Sequence, residues 1–95
     1  MKSIIAGNEK GRCFLCGKYT RTESHHIFGG GFRKKSEYYG LKVELCHWCH
    51  NEPPNGAHHN RETNMRLKRI AQQEAMKKYS WDIEQFRRIF GKNYL

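Results

Sequence analysis

The chain has 95 residues, with 18 Lys and Arg against 9 Asp and Glu and a formal net charge of +9. That length allows one domain over residues 1–95 and excludes a large buried core. The excess charge runs through both halves: residues 1–59 carry 9 basic and 5 acidic side chains (+4), residues 60–95 carry 9 and 4 (+5). Such a balance points to a polyanion, nucleic acid by default, as the partner. Residues 1–7 lack the apolar run of a secretory leader, and no stretch is long and apolar enough for a membrane span. The expectation is a cytoplasmic protein without membrane association.

In chain order, the first half is punctuated by Gly11, Gly17, Gly29-Gly30-Gly31 and Gly40, so its segments are short. Alternating apolar residues predict short strands around Phe14 and Tyr19 and over Leu41–Leu45. The glycine run lacks the Lys-Ser/Thr ending of a phosphate-cradling loop and reads as a flexible loop. Arg33-Lys34-Lys35 follows it as a solvated turn, with no acid before Glu37, and is a candidate phosphate contact. A helical turn or two from Trp48 must stop at Pro53-Pro54.

Asn60 is placed to cap a helix from Arg61 to Tyr79, with Leu67, Ile70, Ala71 and Ala75 on one face. Lys68 and Arg69 on that helix are further phosphate contacts, with Arg66, Lys77 and Lys78 behind them. Ser80 reads as the cap of a second helix from Trp81, with Ile83, Phe86 and Phe90 as its buried stripe and Gly91 at its end.

The chemistry sits between residues 13 and 58. Cys13-Phe14-Leu15-Cys16 and Cys46-His47-Trp48-Cys49 are two Cys-x-x-Cys pairs. Each can pinch one ion from a tight turn, and four thiolates complete a tetrahedral zinc. In a reducing compartment this spacing favours zinc over disulfides. The site uses every cysteine and leaves His25-His26, His50 and His58 unspent.

The order Cys-x-x-Cys, Glu23-Ser24-His25-His26-Ile27, Leu45-Cys46-x-x-Cys49-His50, then His58 resembles the HNH endonuclease family. The resemblance covers about half the chain. The run Arg33–Val43 and the chain's size are also similar to small phage- and prophage-encoded HNH proteins. It implies an α+β fold: a zinc-stapled treble-clef, or ββα-metal, domain over residues 11–59, followed by two C-terminal helices over residues 60–95. It implies cleavage of DNA to a 5′-phosphate and a 3′-hydroxyl, with His26 as general base. His25 and His50 would hold a catalytic divalent ion, His50 being fixed because Cys49 ties its backbone to the zinc knuckle.

Pro53 and Pro54 occupy the place of the family's third ligand, so His58 or His59 would have to swing back from the loop after Gly56. His58 is the choice, because His59 lies closer to the cap of the next helix, and water is the alternative. Adjacent strand residues face opposite ways, so a turn or bulge is expected to let His26 reach the water. An all-histidine set suits zinc, nickel, cobalt or manganese better than magnesium, which then keeps waters. The chain departs from the family in lacking the central Asn before Leu45-Cys46, where Tyr39–Glu44 stands. The other readings are a non-catalytic zinc-binding nucleic-acid-binding protein and a phage packaging or recombination adaptor that acts with a protein partner.

Overall fold

A computed structural model describes residues 1–95. Two strands, β1 (Glu23–His26) and β2 (Lys42–Leu45), form an antiparallel pair. Between them, a 3-10 turn over Gly30–Phe32 leads into helix α1 (Arg33–Tyr39). Helix α2 (His47–Asn51) follows β2 at once, and α3 (Arg61–Tyr79) and α4 (Ile83–Phe90) complete the chain. No helix is long and apolar enough to cross a membrane.

The β pairing is regular: Glu23 opposes Leu45, Ser24 Glu44, His25 Val43 and His26 Lys42. Alternation therefore puts Glu23 and His25 on the face of buried Val43 and Leu45, and Ser24 and His26 on the other. The expected bulge is absent, because β1 simply ends at His26.

Several local expectations are corrected. The first knuckle forms no strand, only bridges pairing Glu9 with Arg12 and Arg12 with Tyr19. Gly17, at φ +77°, closes the chain back on Cys13, whose carbonyl accepts its N–H at 2.8 Å, so extended pairing cannot propagate. Arg33-Lys34-Lys35 is the first turn of helix α1 rather than an isolated turn, and the glycine run read as a loop enters it through the 3-10 turn Gly30–Phe32.

Helix α1 ends at Gly40 in the left-handed region (φ +74°). A Cβ on Gly40 would fall 2.5 Å from the Lys2 carbonyl, so the N-terminal segment lies against this turn only because the residue is glycine.

Helix α3 has the predicted bounds, with Asn60 accepting the Thr63 N–H at 2.9 Å. Ser80, however, is not the cap of α4. It closes α3 in the left-handed conformation (φ 57°). Asp82 caps α4 through a capping box with Gln85, the arrangement favoured when a long polar side chain stands three residues on.

The core gathers where these helices meet the β pair. Phe28, just after β1, has ring centroids 4.5 Å from Phe90 and 5.7 Å from Phe86, and all three are fully buried. Each such side chain contributes about 1.5–3 kcal/mol. Ile83, expected in this stripe, is 42% exposed. The buried Gln72 of α3 is satisfied at both ends: its Nε2 donates to Asn93 Oδ1 at 2.8 Å and its Oε1 accepts the Tyr94 N–H at 2.7 Å. The tail is thereby tied to α3, and the helices brace the segment that carries the histidines.

Candidate metal centres

The first cluster comprises Cys13, Cys16, Cys46 and Cys49, all free thiols whose sulfurs lie within 4.8 Å of one another. Two turns converge to make it. Cys46 caps α2 in extended backbone and Cys49 lies one turn along that helix, while Cys13 and Cys16 sit on the Gly17 turn. Burial alone would raise the Cys13 thiol, yet backbone N–H groups of Cys16, Cys46 and Leu15 aimed at its sulfur bring it down to about 6. Burial and the neighbouring sulfurs drive Cys49 the other way. Four crowded sulfurs cannot all ionise alone, and a divalent cation resolves the conflict. The set fits a structural metal such as zinc in number, donor type and spacing.

The second cluster comprises His25, His50 and His58, one from β1, one from α2 and one from the loop before α3, with ring nitrogens also within 4.8 Å. His25 is 3% exposed, and its Nε2 is buried without any hydrogen-bond partner. A lone nitrogen in that state is costly unless something meets it. Burial, then the adjacent His50, His58, His26 and Lys68, push its pKa down to about 3, so the ring stays neutral with a lone pair to offer. His58 Nε2 lies 3.0 Å from His50 Nε2. His58 and His59 are both exposed, but His59 lies outside the group.

Glu23, earlier only part of a motif, proves to be built into this cluster. Its Oε1 accepts from His50 Nδ1 at 2.8 Å and from Asn51 Nδ2 at 3.0 Å. The bond from His50, with that from His47, holds the carboxyl below its ordinary range. The carboxylate therefore fixes the His50 tautomer with Nε2 free, the orientation that metal-ligating histidines need. The sequence signal was present: Glu23 and His25 stand at i and i+2 of one strand.

His26 points to the opposite face, where its Nε2 lies 2.8 Å from Glu37 Oε1. Because β1 stops there, His26 still borders a hollow of about 280 Å³ shared with Ser24, His25, His50, His58, Gly29, Gly30 and Arg33. Arg33 and Lys34 border the adjoining hollow beside His26, and Lys68, with Arg61, borders the one beyond His58.

Of the predicted phosphate contacts, Arg33, Lys34 and Lys68 thus flank the histidines. Lys35 instead donates to the Ile89 carbonyl at 2.9 Å, closing the last turn of α4. Arg69 lies exposed on α3 and borders none of these hollows. A larger hollow of about 790 Å³, beside Tyr38, Tyr39 and Tyr79, contains no histidine or cysteine. Comparisons with protein-family models, curated proteins and solved structures find no match for this chain.

Proposed function

We propose that the protein is a metal-dependent endonuclease of the HNH type that hydrolyses DNA phosphodiester bonds. The observation that carries this reading is the convergence of His25, whose buried Nε2 has no partner, with His50 and His58, with His26 on the rim of the same hollow. His25, His50 and His58 would hold a divalent ion with three nitrogens, fewer donors than a closed structural zinc takes, and so would leave it able to bind water or phosphate. An ion held there would offset charge on the phosphoryl group and the leaving 3′ oxygen. Nitrogen ligands suit zinc, nickel, cobalt or manganese.

The remaining work falls to the chain. His26 takes a proton from water as the water oxygen bonds to phosphorus and the bond to the 3′ oxygen breaks. The leaving oxygen is protonated from solvent, giving a 5′-phosphate and a 3′-hydroxyl. Arg33 and Lys34 on one side of the hollow and Lys68 on the other pair with backbone phosphates. The net charge of +9 supports this choice of substrate.

Plasmid nicking in manganese, magnesium, nickel, cobalt and zinc tests the reading, with His26→Ala as control. Wild-type protein nicks, and His26→Ala is ~100- to 10,000-fold slower while keeping zinc and DNA affinity. A wild-type protein that holds zinc and binds DNA, yet nicks in none of these metals alone or with a partner, overturns the nuclease assignment.

A further inference from the structure

Glu37 has no assigned part in the reaction above, yet four hydrogen bonds converge on it. It lies on α1, whose packing against β1 brings it to the face carrying His26 and Lys42. Glu37 Oε1 meets His26 Nε2 at 2.8 Å and Lys42 Nζ at 3.0 Å. Glu37 Oε2 meets Lys42 Nζ at 2.8 Å and the Met1 ammonium at 2.9 Å. With Lys42 on both oxygens, the carboxylate cannot rotate without breaking a charge-assisted bond.

We infer that Glu37 is the positioning residue of His26: its carboxylate accepts the Nε2–H, leaving Nδ1 as the nitrogen that takes the proton from water. The Lys42 ammonium first, then the amino terminus, then His26 hold the Glu37 carboxyl far below the ordinary carboxylate range. An ionised carboxylate only accepts, so the hydrogen in the short bond belongs to His26 Nε2. With that hydrogen on Nε2, the neutral form of the ring has its lone pair on Nδ1. No group of the protein hydrogen-bonds to Nδ1, and His26 is among the residues that border the hollow of His25, His50 and His58. The imidazolium formed by proton transfer then faces a carboxylate that stabilises it.

Glu23 and Glu37 thereby set opposite tautomers on two histidines of one site. Glu23 takes Nδ1–H of His50 and frees Nε2 for a metal; Glu37 takes Nε2–H of His26 and frees Nδ1 for a proton. The role in turnover rests on the nuclease reading, whereas the tautomer does not.

Two measurements on the zinc-loaded protein test the assignment. Long-range proton–nitrogen NMR of the histidine rings should show His26 as the Nε2–H tautomer in wild type and in Glu37→Gln, whose amide oxygen still accepts. Glu37→Ala should lose that single tautomer. In plasmid nicking, Glu37→Ala should lower kcat about 10- to 100-fold with KM and zinc content unchanged. Glu37→Gln should recover part of the loss, which a merely structural contact does not predict. An Nδ1–H tautomer for wild-type His26, or wild-type kcat in Glu37→Ala, overturns the inference. Should Glu37→Ala not fold, the wild-type and Glu37→Gln spectra decide it. If wild-type protein shows the Nε2–H tautomer but never nicks, the nuclease reading fails while the pairing stands.

Discussion

The two clusters are built from neighbouring backbone but differ in donor number and in what surrounds them. The thiols supply four donors from two turns and satisfy a tetrahedral ion without further help. The imidazoles supply three donors, one of them buried and unpaired, beside a hollow bordered by Arg33, with Lys34 and Lys68 on the adjoining hollows. Soft, complete and knotted into turns is what a fold needs from a metal. Incomplete and open is what chemistry needs. The difference lies in the partners of the ligands more than in the ligands: backbone N–H groups serve Cys13, whereas the Glu23 carboxylate serves His50.

The comparison breaks first if the thiol site is dispensable. Stripping the metal with a strong chelator under reducing conditions should unfold the protein, read as loss of helical circular dichroism. Structural zinc supplies on the order of 10 kcal/mol in sites of this kind. The histidine cluster should then vanish with it, whereas His25→Ala should leave one zinc per chain and a folded protein. Metal analysis of the two preparations separates these outcomes. A chelated protein that stays folded would mean that the aromatic core around Phe28 is sufficient by itself.

A smaller effect sharpens the contrast from the other side. Glu23→Gln keeps shape but weakens the acceptor for His50 Nδ1, and should lower affinity for the second metal 10- to 100-fold by calorimetry. The thiol-bound metal should be unaffected. Equal loss at both sites would show that Glu23 serves the packing of α2 on β1 and not the ligand alone.

The smallest effect concerns the basic rim. Arg33→Ala, Lys34→Ala and Lys68→Ala should each flatten the salt dependence of DNA binding by about one in log–log slope. Lys35→Ala should leave the slope nearly unchanged, because that ammonium is engaged by the Ile89 carbonyl. Fluorescence anisotropy over a salt series measures both.

What could be read in advance follows from how local each signal is. Paired cysteines and the Asn60 cap are carried within a few residues, and they yielded the thiol cluster and the bounds of α3; the grouping of His58 with His25 and His50 spans 33 residues and came from the family resemblance. Helix α1 escaped because seven residues with only Ser36 buried show no apolar period. Its stop, Gly40, was noted as a punctuating glycine and not as a helix end. Ser80 misled because serine caps well in isolation, and the Asp82–Gln85 pair three residues apart outweighed it. The carboxylates that orient the histidines act across 27 residues from Glu23 to His50 and 11 from Glu37 to His26. Such pairings exist only once β1, α1 and α2 have docked.

Cys49 and His50 are consecutive residues of one five-residue helix, yet each belongs to a different cluster. An α-helix turns about 100° per residue, so the two side chains leave the axis on bearings separated by roughly that angle. The helix is thus an angular coupler: the thiol end sets its roll, and the roll aims the imidazole. Inserting one alanine between Cys49 and His50 would swing the imidazole through about another 100°, away from His25, while leaving all four thiols in place. The same insertion placed after His50 would leave the aim of that ring untouched. The dipeptide Cys49-His50 therefore works as a unit of geometry, and its two halves can be moved together but not apart.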